Sequence, residues 1–323
     1  MMTKWGKRAV RGVMLVTIVA ILSCGGCGTG TQEIAWHGNP PETVKPFRPG
    51  YFGARFEPHS ALDIHPNDHE LAWSIFWREV EGFHQKVVAA QYEDNQFTVP
   101  SVTSFSAGYS CGGPQYSPDG GTLYFTSERP IGDELNPHSR IWTTKRDSSG
   151  GWATPVPLDA PFNGNRVSSQ FALMDDGTII FSRRVEEPRN NDLFIAEFVD
   201  RQYQPERSLP GAVNTEYLEA DPWVDPQGRF LLFGRFDDLT NGFGGMDLCI
   251  SVRQPDGTWG EGISLGEMVN SYDEERFPSL SNDGHVLFFT RMTGDGYDIR
   301  NSYYWISAEA VPVLADVLGL SDR

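Results

Sequence analysis

The sequence predicts an all-β fold built from repeated four-stranded units closed into a ring. Three observations carry this reading. A turn figure recurs five times at near-equal spacing. Large apolar residues alternate in the segment after each turn. Glycine and proline, 34 and 22 of 323 residues, are spread along the whole chain. That density, with 12% aromatic residues, suits short strands joined by tight turns.

The clearest copy of the figure is Ser117-Pro118-Asp119-Gly120, followed by Leu123-Tyr124-Phe125-Thr126. The other copies are His65-Pro66-Asn67-Asp68, Met174-Asp175-Asp176-Gly177, Asp225-Pro226-Gln227-Gly228 and Ser281-Asn282-Asp283-Gly284. Their last residues are spaced by 52, 57, 51 and 56 positions. Proline presets φ, Asp or Asn bonds its own backbone, and glycine accepts a positive φ, so two strands meet in a hairpin. Four residues before each closing position stand Ile64, Tyr116, Leu173, Val224 and Leu280, all apolar. After it come Leu71 and Trp73, Leu123 and Phe125, Ile179 and Phe181, Leu231 and Phe233, Leu287 and Phe289. Period-two spacing puts each pair on one face of a sheet.

A third strand is signalled by Arg140-Ile141-Trp142, Asp192-Leu193-Phe194-Ile195, Asp247-Leu248-Cys249-Ile250 and Asp298-Ile299. A fourth opens with an aromatic, from Phe97 to Pro100, Trp152 to Leu158, Tyr203 to Leu209 and Trp259 to Leu265. Four short strands in about fifty residues make one propeller blade. The expectation is a single β-propeller over residues 45–310, with five blades and six as the alternative. The last repeat lacks an obvious fourth strand, because Ile306 to Leu318 reads as a short helix, leaving 311–323 as a helical tail. Residues 45–53 carry Phe47, Tyr51 and Phe52 and precede the first blade. They are expected to supply the missing strand and so remove the sheet edge.

The Ser-Pro-Asp-Gly figure, the approach Gly244-Gly245-Met246-Asp247-Leu248 and the turn Asp256-Gly257-Thr258-Trp259 resemble the WD40-like propeller repeats of bacterial envelope proteins. TolB-type periplasmic propellers carry the same repeat. The resemblance spans residues 45–310 and is specific to the repeat, not to any activity. The first repeat departs most, with Asp68 where glycine is usual.

Residues 1–23 read as a secretory signal peptide. Lys4, Lys7, Arg8 and Arg11 precede an apolar run from Val13 to Leu22, which is too short to span a membrane. Ile21-Leu22-Ser23-Cys24 then resembles a bacterial lipobox. That resemblance implies diacylglyceryl attachment at the Cys24 sulfur, cleavage before it and acylation of the new amino terminus; Cys27 sits in a poorer context. Residues 24–44 read as a flexible tether. The expected location is the cell envelope, on the periplasmic face of the outer membrane where the host has one, held to the membrane by lipid alone.

The net charge is −17, and beyond residue 23 the chain holds 22 basic against 43 acidic residues. Such a surface repels nucleic-acid phosphates and anionic headgroups. The expected partner is an envelope protein, peptide or glycan, with no nucleic acid, cofactor or metal, and the preferred function is a binding or scaffolding module.

The alternative is a glycoside hydrolase or lyase, which needs carboxylates converging at the axis. Nine residues before the closing positions stand His59, Cys111, Ser168, Glu219 and Glu275, on the innermost strands, with Asp221 near this level. Glu219, Asp221 and Glu275 are therefore the candidate catalytic acids. The plainer reading is that they bond backbone amides of neighbouring blades. Gly108-Tyr109-Ser110-Cys111-Gly112 matches a nucleophile elbow, but Pro114 and a hairpin follow where a helix is needed. His65 and His69 lie in a turn, so their rings need not share a face. Gly242-Phe243-Gly244-Gly245 lacks the helix and lysine of a phosphate loop. Asp175-Asp176 and Asp237-Asp238 have no EF-hand-like ligand order. Cys111 and Cys249 are expected as buried free thiols, a disulfide being the alternative in an oxidising compartment.

Replacing Cys24 by serine is expected to release the protein from the detergent phase or to stall its processing. Phase partitioning of both forms checks this, and identical partitioning refutes it.

Overall fold

The computed structural model describes residues 39–52, 57–79, 82–93, 96–134, 138–162, 170–185, 191–236, 242–294 and 300–321. The signal peptide, Cys24, Cys27, Ser168, Asp237-Asp238 and Asp298-Ile299 lie outside them.

The chain is a five-bladed β-propeller of small antiparallel sheets. In blade 1 the innermost strand comes in two pieces, Glu57–Pro58 and Asp63–Ile64, both paired with Glu70–Glu79. Gly82–Glu93 follows, and its outer partner is again split, into Gln96–Phe97 and Ser101–Val102. Blade 2 runs outward through Cys111–Tyr116, Thr122–Ser127, Arg140–Lys145 and Val156–Pro157. Blade 3 uses Phe171–Leu173, Ile179–Arg184, Asn191–Ala196 and Arg207–Ser208, with a small extra hairpin of Phe198–Val199 on Gln202–Tyr203. Blade 4 uses Leu218–Val224, Phe230–Phe236, Met246–Val252 and Ile263–Ser264.

Each blade begins with the same turn, for the same reason. The N–H of Asp68, Gly120, Gly177, Gly228 and Gly284 donates to the carbonyl three residues back, at 2.6 to 3.0 Å. All five take positive φ, from +59° at Asp68 to +89° at Gly177. Asp68 therefore adopts the glycine conformation without being glycine, as short polar side chains tolerate. Trp73, Phe125, Phe181, Phe233 and Phe289 are all buried, as are Leu71, Leu123, Ile179, Leu231 and Leu287. Burying one such side chain is worth about 1.5–3 kcal/mol.

The innermost strands carry a second shared feature. Gly113, Asp221 and Phe277 all have φ between +51° and +53° and each precedes a proline: Pro114, Pro222 and Pro278. The strand register slips at each of these points. These are bulges, where a missing N–H costs no ladder bond.

Blade 5 holds Glu274–Leu280, Val286–Thr293 and Arg300–Ser307, and its outermost strand is Lys45–Pro46 from the other end of the fold. Lys45 faces Trp305 and Pro46 faces Tyr304. The Phe47 N–H donates to the Tyr303 carbonyl at 2.7 Å, and upstream the Pro41 carbonyl accepts from Ser307 N–H at 2.8 Å. Phe47 and Phe52 stack at 5.3 Å in the core shared by blades 1 and 5. The expected helix from Ile306 begins later. Ile306 pairs with Leu287 inside the strand, and the helix is Pro312–Leu318, opened by a proline that suits a first turn. It seats Leu314 and Ala315 on the core of blades 4 and 5.

Phe47→Ala is expected to destabilise the protein by about 3–5 kcal/mol, as much as Phe125→Ala in a blade centre. Chemical denaturation of both variants checks this, and a silent Phe47→Ala would mean that closure adds no stability.

Candidate functional site

Each candidate acid on the innermost strands meets a guanidinium. Glu219 lies directly across the hairpin from Arg235, and Glu275 from Arg291. The Glu219 carboxylate accepts from Arg235 Nε at 3.0 Å, the Thr215 hydroxyl at 2.5 Å and the Thr215 N–H at 3.2 Å. Glu275 repeats the arrangement with Arg291 Nε at 2.6 Å, the Ser271 hydroxyl at 2.6 Å and the Ser271 N–H at 2.9 Å. Both glutamates are fully buried. Burial raises both carboxyl pKa values, while the hydroxyl, amide and guanidinium contacts pull them back down. The arginines reach on to the Val213 and Val269 carbonyls, at 3.0 and 2.9 Å. Each set thus ties a blade to the connection that enters it.

Asp221 faces the next blade. It accepts from Arg276 Nε at 2.8 Å, and Arg276 also feels the charge of Glu274. Arg276 lies over the Phe277 ring at 4.7 Å. His59 packs edge-on to the same ring at 5.2 Å, and burial with the Arg276 charge pushes its pKa down to about 3, so it is neutral at physiological pH. Asp221, Arg276, Phe277 and His59 therefore pack together where the innermost strands of blade 4 and blade 5 meet blade 1. Each of the three candidate acids is matched to a different guanidinium. Their arginines were readable in principle, since Arg235 and Arg291 stand seven residues after their turn glycines, opposite the glutamates nine before.

The other motifs fall into structural roles. Cys111 starts an innermost strand and its thiol donates to the Ser127 hydroxyl at 3.4 Å. Cys111 and Cys249 are buried free thiols. The His65 ring lies 3.2 Å from the Gly120 carbonyl of the next blade and accepts the Asn67 N–H at 3.1 Å.

At the turn end the channel opens into a cavity of about 430 Å³ to which all five blades contribute. Its lining includes Asp63, Gln115, Asp175, Trp223, Asn282 and Asp283, and Leu318 and Leu320 of the tail reach it. Asp63 is the unusual group. Some of its surface still meets solvent, yet the walls desolvate its carboxyl and push the pKa up to about 8, against one hydrogen bond from the Tyr116 N–H at 2.6 Å. Asp175 accepts from Gln227 at 2.9 Å, and Asp283 from the Ser281 hydroxyl at 2.5 Å. The mouth is a polar and aromatic surface rich in acceptors, fit to hold hydrogen-bond donors.

These features define a propeller with a structured channel. No family model matches the sequence, and no curated protein is similar to it. Among solved structures the chain is similar to TolB from Acinetobacter baumannii, at 16% identity and a TM-score of 0.47, over 78% of this chain and 54% of that one. It thus spans about half the length of that protein. It is also similar to an α-L-arabinofuranosidase from Lactobacillus brevis, at 12% identity and a TM-score of 0.48, over 81% of this chain and 94% of that one. At these values neither likeness transfers an activity.

The raised Asp63 pKa has a sign that can be checked. The folded protein holds this proton up to about pH 8, whereas the unfolded chain releases it near the ordinary value of 3.8. Folding takes up a proton between those values, so the Asp63 contribution to stability falls as pH rises through that window. Wild type is expected to lose more melting temperature between pH 5 and pH 8 than Asp63→Asn, which keeps an acceptor for Tyr116. Parallel slopes would refute the assignment.

Proposed function

We propose that the chain is a lipid-anchored envelope propeller that binds a protein, peptide or glycan at the turn-face mouth of its channel. The observation that carries the reading is the state of the axial acids. A hydrolase of the two-carboxylate kind needs one protonated donor and one free carboxylate facing the substrate. Glu219 and Glu275 are instead sealed in the blades by hydroxyl, amide and guanidinium, and Asp221 is held by Arg276. Buried ion pairs of this kind hold neighbouring elements in register, and removing one partner strands a charge.

The mouth has the opposite character. Five turns present side chains to one cavity, and Trp223 adds an aromatic wall. Wide, pre-formed cavities with a few placed polar groups are where ligands bind. The lipid on Cys24 and the residues after it would hold this face within reach of envelope partners.

The reading predicts that Asn282→Arg, which crowds the mouth, weakens binding of an envelope peptide or glycan fragment at least about tenfold. Asp221→Asn, away from the mouth, is expected to leave that binding unchanged if the fold persists. Calorimetric titration against such fragments measures both. Hydrolysis of a polysaccharide by the wild type, lost in Asp221→Asn or Glu275→Gln folded variants, would establish the enzyme instead.

A further inference from the structure

The connections between blades lie at the end of the ring opposite the turns, and two of them are built alike. Asn214 grips Leu193 from both sides: its Oδ1 accepts the Leu193 N–H at 2.8 Å and its Nδ2 donates to the Leu193 carbonyl at 2.9 Å. Asn270 grips Leu248 in the same way, at 2.8 and 3.0 Å. Thr215 and Ser271 follow, each donating its hydroxyl to an axial glutamate. Each hydroxyl also accepts an N–H two residues on, from Tyr217 and from Asp273, both at 3.2 Å. The two clamps are one repeat apart in the sequence.

What the clamps present is also alike. Glu216 and Tyr217 form the tip of the first, Tyr272 and Asp273 that of the second, so a tyrosine and an acid stand side by side on both. Tyr272 is 91% exposed, although the residues on either side of it are pinned. The segment 242–245 lies against this tip: a Cβ on Gly244 would come within 2.4–2.6 Å of the Ser271, Tyr272 and Asp273 carbonyls. That approach brings the segment carrying Phe243 against the one carrying Tyr272. Tyr109, Phe236, Phe243 and Tyr272 are the exposed Phe, Tyr and Trp residues among those described, and all four stand at this end of the ring. Grouped exposed rings, unlike scattered ones, mark an interaction surface.

The charge of these connections has one sign. Glu216 and Glu267 are exposed, Asp273 is half-exposed, and residues 209–217, 242–245 and 265–273 hold no Lys or Arg. On the adjoining strands Arg235, Arg276 and Arg291 are each paired with an axial acid. Such a surface repels nucleic acid and an anionic membrane, and a second copy of the chain would set acid against acid. A ring with a carboxylate beside it suits a cation on an aliphatic stem, a lysine or arginine side chain. The chain uses this chemistry itself at the same end, where the Arg129 guanidinium lies 4.8 Å over the Tyr109 ring.

We infer that the end opposite the turns, over blades 4 and 5, is a second docking surface: it takes a lysine- or arginine-rich segment of a partner protein on Phe243 and Tyr272, with Glu216, Glu267 and Asp273 of the same connections answering its charge. It does not rest on the reading of the turn-face mouth.

The test titrates the full chain with a capped peptide of alternating arginine and leucine, with the same peptide carrying citrulline for arginine, and with cellotetraose as a neutral glycan. The arginine peptide is expected to bind, more weakly as salt rises, and the other two not to. The double variant Phe243→Ser, Tyr272→Ser removes exposed rings, so its melting temperature should hold while affinity for the arginine peptide falls about tenfold. Asp273→Lys should weaken binding about tenfold or more. Glu309→Lys makes the same change in net charge at an exposed site beside the turns, and should shift affinity less than about twofold. Asn282→Arg at the mouth should leave this binding intact. Failure of the arginine peptide to bind overturns the proposal, as does equal binding of the citrulline peptide. Full affinity in the folded double variant, an equal loss in Glu309→Lys and Asp273→Lys, or a loss confined to Asn282→Arg overturns it too. Cellotetraose binding that the double variant abolishes would make the surface a glycan site instead.

Discussion

A ring of sheets is stable only when the last sheet has no bare edge, and here two residues meet that condition. Lys45 and Pro46 lie along the strand Arg300–Ser307, with Phe47 driven into the core beside Phe288 at 5.0 Å. Proline suits this place, because an outermost strand can spare an N–H on its solvent side. Closure joins blade 5 to blade 1, so Tyr303 can donate to the Ser60 carbonyl and Ser279 to the Leu62 carbonyl. Both bonds bridge more than two hundred residues of chain. Without them the innermost strand of blade 1, already split into two short pieces, would have little to hold it at the axis.

Within that ring, polar chemistry fastens the blades as much as apolar packing does. Both carboxylate oxygens of Glu70 in blade 1 accept from Arg146 of blade 2 at 2.6 Å, and the Tyr116 hydroxyl and the Gln91 side-chain amide bond the same carboxylate. Asp221 and Arg276 do the same between blades 4 and 5. Such pairs add little net stability over a well-packed apolar contact, but they penalise any misplacement of one blade against the next. Glu219 and Glu275 are likewise engaged within their own blades, by Arg235 and Arg291. Asp221 and Phe277, both at positive φ in their bulges, take part in this packing: Arg276 bonds Asp221 and lies over Phe277, and His59 packs on the same ring.

The blade plan was legible because it rests on local rules. A residue at positive φ after a Pro-Asp figure makes a hairpin wherever it occurs, and alternation fixes which side is buried. That is why the reading from Asp68 to Gly284 found five turns and five buried aromatics, even where Asp68 replaced glycine. The helix start was misplaced because Ile306 is apolar in either structure, and its pairing with Leu287 is decided by a partner strand, not by its neighbours in sequence. The prolines that mark the three bulges were visible, but their meaning depended on knowing which strand is innermost.

The candidate site was legible only in part, and the reason is distance through space. Spacing placed Glu219, Asp221 and Glu275 near the axis, but it carried no information on what stands opposite them. Arg276 belongs to the blade after Asp221. Turn geometry and side-chain alternation are properties of a few adjacent residues, so the sequence by itself determined the repeat, the hairpins and the buried face. Charge neutralisation, desolvation and cavities are properties of surfaces brought together from distant parts of the chain. The tertiary structure alone decided that the axial acids are paired with guanidinium groups and that burial raises the Asp63 pKa.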